Sequence, residues 1–71
     1  MNVEEIGQFV RSERKQIGLR QDELAGAAGV GLRFIVDLEA GKNTIQLGKV
    51  LQVLEILGYE LETRPSRTLT A

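Results

Sequence analysis

The stretch QDELAGAAGVGLRFIVDL, residues 21–38, decides the fold. It predicts a short helix from Gln21, a tight turn at Gly29 and a second short helix from about Leu32. Leu24, Ala28, Val30, Ile35 and Leu38 are its apolar positions, spaced for two short helices that each bury one face. Ala25 is small where two steeply crossing helices must approach closely. Gly29 stands just past the first helix, where a backbone with φ > 0 closes the last turn. Apolar spacing, a small residue and a turn glycine in one register are more specific than an amphipathic helix pair alone.

On the N-terminal side, residues 3–17 predict a helix. Val3, Ile6, Val10 and Ile17 fall on one stripe, and Phe9 widens it. Gly18 ends this helix, with Lys15 near the negative end of its dipole. Gly7 inside it costs roughly 1 kcal/mol relative to alanine. Arg20 falls at the N-cap of the next helix, where Ser, Thr, Asp or Asn is worth about 1 kcal/mol more. Either the poor cap is tolerated, or the guanidinium has a use such as a phosphate contact. Asp22 and Glu23 suit the positive end of that helix, and Gly26 weakens its middle.

On the C-terminal side, Gly31 caps the helix of residues 32–40, Gly41 closes it, and Lys42 and Asn43 follow in a loop. Thr44 is the expected N-cap of a fourth helix at 45–57. Its apolar residues Leu47, Val50, Leu51, Leu54 and Leu57, with Val53 and Ile56, are more than one core face needs, which predicts an interface. After Gly58, YELETR (59–64) alternates at period two and predicts a strand. A lone strand is unstable in water. It is therefore expected to pair antiparallel with its copy in a homodimer, through Tyr59, Leu61 and Thr63. Pro65 stops it, and PSRTLTA (65–71) is expected to be a mobile tail. The expected organisation is a helical domain at 1–58, a dimerising strand at 59–64 and the tail.

The chain has 71 residues, nine basic and ten acidic, a net charge of −1, and neither cysteine nor histidine. Disulfides, thiolate or imidazole metal sites and Ser-His-Asp or Cys-His catalysis are thereby excluded. The carboxylates are scattered, with Glu60 and Glu62 on a solvated strand face, so neither an enzyme nor a cofactor site is expected. No apolar run approaches the ~18 residues of a membrane span, and the acidic start lacks a signal-peptide pattern. The expected location is cytoplasmic. The acidic balance counts mildly against a nucleic-acid partner unless the positive charges share one face.

Two short helices joined by a glycine turn make the helix-turn-helix motif, whose second helix can lie in the DNA major groove. The segments VRSERKQIGL (10–19), RQDELAGAAGV (20–30) and FIVDLEAGK (34–42) resemble the Cro/repressor-type (XRE) helix-turn-helix domains. With NTIQLGKVLQVLEILGYELE (43–62) added, the chain looks like the HipB-type antitoxins. The resemblance implies an all-α, four-helix Cro/repressor-like domain plus one C-terminal β-strand pairing across a homodimer. It implies a repressor that binds a palindromic operator in double-stranded DNA and neutralises a HipA-like serine/threonine kinase toxin. The alternatives are a stand-alone or prophage repressor, and an interaction module that has lost DNA binding.

By the same resemblance, Gln21 touches phosphate and base edges, and Leu32, Arg33 and Asp37 hold the base-reading positions. Lys42 and Asn43 match a phosphate-contacting loop, and Arg14 and Glu39 match a buried salt bridge between the first and third helices. Leu32 and Asp37 depart from the polar residues common at their positions. The residues have a physical reading of their own. The planar fork of Arg33 can donate two hydrogen bonds to guanine, and Leu32 can touch a thymine methyl. Asp37, at i+4, either accepts from cytosine or orients Arg33; the second is favoured because phosphate repels a carboxylate. Arg20, Gln21, Lys42 and Asn43 would contact phosphate at the groove edges. Phe34 is expected to pack on the first helix, and Lys49 to be solvated.

Overall fold

The computed structural model describes residues 1–66, which contain α1 (Val3–Gln16), α2 (Gln21–Ala28), α3 (Leu32–Glu39) and α4 (Leu47–Ile56). Helix α1 starts at Asn2, whose side chain accepts from the Glu5 N–H at 2.8 Å. This cap was not anticipated. Helix α2 starts at Arg20, whose backbone N–H donates to the Glu23 carboxylate at 2.8 Å. Glu23 thus supplies the half of a capping box that a guanidinium does not obstruct, which offsets part of the poor cap. At the turn, Gly29 has φ 71°, and the next N–H, of Val30, reaches back to the Ala25 carbonyl at 3.0 Å. The same glycine closure ends the other three helices, at Gly18, Gly41 and Gly58.

One core joins all four helices. Val10 of α1, Leu24, Ala25 and Ala28 of α2, Ile35 and Leu38 of α3, and Val50, Val53 and Leu54 of α4 are buried together. Helix α3 packs on α1 and α2, and α2 packs on α4. Gly7 lies where α1 crosses the C-terminal end of α3. A Cβ there would collide with the Leu38 carbonyl oxygen and press on that of Glu39 at 3.1 Å. The helix-weakening glycine is therefore required by the crossing.

Several expectations are corrected. Helix α4 begins at Leu47, capped by Gln46, and Thr44 is not its N-cap. Ile45 stays outside the helix, half-buried against the core beside Val50. This is the hydrophobic-staple arrangement, in which the residue before the cap packs on the fourth helical residue. Ile17 is 58% exposed, because α1 ends at Gln16 and the chain turns before that position can point inward. The surplus expected on the fourth helix is, by contrast, present: Val50, Val53 and Leu54 are buried, whereas Leu47, Leu51 and Ile56 are exposed. A straight helix offers the core a stripe of limited width, so the surplus faces out.

Residues 59–66 form no strand among the described residues. Residues 60–64 make no backbone–backbone hydrogen bond with one another or with the helices. The expected ladder has no partner among the described residues. Tyr59 instead folds onto α1: its ring meets Phe9 edge-on at 4.8 Å, and its hydroxyl donates to Glu13 at 2.7 Å. That hydrogen bond raises the phenol's pKa above its ordinary value. The expected tail beyond Ser66, including Arg67, lies outside the described residues. No described helix is long and apolar enough to cross a membrane.

Candidate nucleic-acid interface

Helix α3 carries two opposed sets of residues. Ile35 and Leu38 are buried, while Leu32 and Arg33 stand out from its first turn. Leu32 is 49% exposed, and the Arg33 side chain is 85% exposed. The next turns continue the Leu32 line outward through half-buried Val36 to exposed Ala40.

The predicted residues fall into two clusters. In the first, Asp37 binds Arg33 Nε at 3.3 Å and Lys42 Nζ at 3.5 Å. The Asp37 side chain is 22% exposed, so the carboxylate is a partly sheltered post between two more exposed cations. This geometry suits the orienting role for Asp37.

In the second cluster, Arg14 Nε donates to Glu39 Oε2 at 2.7 Å, and Nη2 donates to Oε1 at 3.0 Å. Arg14 Nη1 also donates to the Leu19 carbonyl at 2.8 Å. The two side chains are 10% and 4% exposed. Hydrogen bonding to Glu39 raises the guanidinium's pKa, against the opposing effect of burial. Gln21 Nε2 donates to the same Glu39 Oε1 at 3.2 Å. One buried carboxylate therefore ties α1, the start of α2 and the end of α3 together. It also sets which way the Gln21 amide faces: one N–H and the carbonyl oxygen remain for a ligand.

Arg20 is bound to Asp22 at 3.1 Å, and that hydrogen bond holds the Asp22 carboxyl below the usual carboxylate range. Asn43 is exposed in the loop after α3, near Lys42. Phe34 is half-buried against the core, and Lys49 of α4 lies 5.8 Å from its ring centre, so this lysine is not simply solvated.

One neighbour was missed. Arg11 of α1 lines an open hollow of about 500 Å³ with Arg14, Arg20, Gln21, Val36, Glu39 and Ala40. Its sequence signal is the i, i+3 spacing from Arg14, which puts both arginines on neighbouring lines of α1.

A steep pair of short helices, the second with its first turn outward, defines the helix-turn-helix class of domain. The family model described as "Helix-turn-helix" matches residues 10–63. The chain is 69% identical over 58 residues to y4mF of Sinorhizobium fredii, described as an HTH-type transcriptional regulator; the match covers 82% of this chain and 76% of that one. A second HTH-type transcriptional regulator, from Methanothermobacter thermautotrophicus, is 36% identical over 52 residues, covering 73% of this chain and 75% of that one. The chain belongs to the helix-turn-helix family.

Proposed function

We propose that this protein is a DNA-binding transcriptional regulator that acts as a homodimeric repressor on a palindromic operator. The outward first turn of α3 carries this reading, since Arg33 and Leu32 are held free of the core on a rigidly packed helix. The relatives named as transcriptional regulators support it. Arg33, steadied by Asp37, reads guanine, and Leu32 meets a thymine methyl. Gln21 uses its remaining N–H on phosphate and its carbonyl on a base amino group. Arg20, Lys42 and Asn43 hold the backbone. Selection of binding sites from random duplex DNA tests this reading. The wild-type protein is expected to enrich a palindrome, and Arg33→Ala to blur one base pair in each half-site at a cost of about 1–3 kcal/mol. No enriched site at low salt would overturn it in favour of a protein partner.

The homodimer is proposed through residues 59–64, with Tyr59, Leu61 and Thr63 as its contacts. Support comes from the unpaired backbone of residues 60–64 and from the exposed apolar side chains of Leu51, Tyr59 and Leu61. A proline removes a ladder donor and breaks such pairing. Leu61→Pro is expected to give monomers in sedimentation and to lower operator affinity by about tenfold or more, because two linked half-sites bind far better than one. Unchanged dimerisation would defeat this geometry.

The antitoxin reading adds a HipA-like kinase as a further partner. A hollow where Ile6, Phe9 and Leu54 meet Glu5 and Glu60 supports a protein contact. Phe9 lies about 200° around α1 from Arg11, so this hollow is on the other flank of α1 from the arginine-lined one.

A further inference from the structure

We infer that Arg11 is a phosphate-binding residue that extends the DNA footprint from the helix-turn-helix onto α1; this rests on the DNA-binding reading above. Three guanidinium groups, from Arg11, Arg14 and Arg20, border one open hollow beside α3. Two of them are already answered: Arg14 by Glu39 at 2.7 Å and Arg20 by Asp22 at 3.1 Å. Arg11 is not. Its helical neighbours at three and four residues are Gly7, Gln8, Arg14 and Lys15, none of them acidic. No carboxylate among the described residues lies within ion-pair distance of it.

The position of the hollow says which anion it takes. Val36 and Ala40 form its α3 wall, and they continue the outward line that starts at Leu32. A major groove about 12 Å wide closely fits a helix about 10–12 Å across, so a duplex seated on α3 runs a phosphate backbone along each flank of that helix. One flank is the hollow. A phosphate there meets an unneutralised guanidinium, whose fork suits it bidentately, with the free N–H of Gln21 on the same rim.

A phosphate contact has a signature that a base contact lacks. It weakens binding to all sequences alike and contributes about 0.9 to the slope of log affinity against log salt. The experiment measures Kd for the selected operator and for an unrelated duplex from about 50 to 200 mM salt, using wild type, Arg11→Gln and Lys15→Gln. Lys15 is exposed on the same helix but does not line the hollow. For Arg11→Gln the slope is expected to fall by about 0.9 on both duplexes, with the thermal midpoint unchanged, while Lys15→Gln keeps the wild-type slope. An unchanged Arg11→Gln slope, with Arg33→Ala still impaired, overturns the inference and leaves the DNA reading standing. Equal slope losses in both variants overturn it too, since they indicate diffuse charge rather than a seat. Absence of wild-type binding to any duplex removes both.

Discussion

Glu39→Ala is expected to leave the protein largely unfolded at room temperature. The side chain is 4% exposed and answers three donors: two from Arg14, at 2.7 and 3.0 Å, and one from Gln21 at 3.2 Å. Removing it strands a guanidinium that is itself 10% exposed, and that loss costs about 3–5 kcal/mol. A single core of this size rarely supplies more than about 3–5 kcal/mol in total. The loss is therefore comparable to the whole stability. Urea titration followed by circular dichroism measures it. The result has a second arm. Replacing both charges by apolar residues, Arg14→Met with Glu39→Met, is expected to be more stable than Glu39→Ala alone, because no buried charge is left without its partner. If the single variant melts like wild type, the buried pair does not hold these helices together. A double variant that folds also isolates Gln21, whose amide then has lost its anchor.

Gly7→Ala carries the second large effect, and its sign is opposite to helix propensity. Alanine at a mid-helix position ordinarily gains about 1 kcal/mol over glycine. Here the new methyl collides with the Leu38 carbonyl oxygen. That oxygen is backbone, and it accepts the Gly41 N–H at 3.1 Å in the closure of α3. It cannot swing aside as a side chain would, so α1 must lift or the end of α3 must distort. Overpacking of this kind costs about 1–3 kcal/mol, and a backbone obstacle puts it at the upper end. Less the propensity gain, a net loss of about 2 kcal/mol lowers the thermal midpoint by roughly 8–16 °C in a domain of this length. Calorimetry checks it, and a midpoint at or above wild type would show that α1 does not approach α3 this closely in solution.

Much of the fold was legible because it is written in local chemistry. Gly18, Gly29, Gly41 and Gly58 mark the helix ends, since a left-handed closure needs a residue without a Cβ, and each has positive φ in the structure. The 3.6-residue spacing of Val10, Leu24, Ala28, Ile35 and Leu38 put the right faces inward. The start of α4 was not legible. Thr44 is a good cap by type, yet Ile45 gains more from packing beside Val50 than from serving as a first helical residue. Likewise Ile17 and Leu51 have the spacing of core residues, and only the helix ends and neighbouring helices decide that they face out.

The candidate site divides the same way. The sequence by itself determined that a short helix beginning at Leu32 would follow a glycine turn, and that Arg33 would sit four residues from Asp37, because both follow from positions along one helix. Only the tertiary structure decided what Gly7 is for, that Gln21 shares a buried carboxylate with Arg14, and that Arg11 stands beside α3. Each of those joins residues far apart in the chain, and helix periodicity carries no information about which face of one helix meets which end of another.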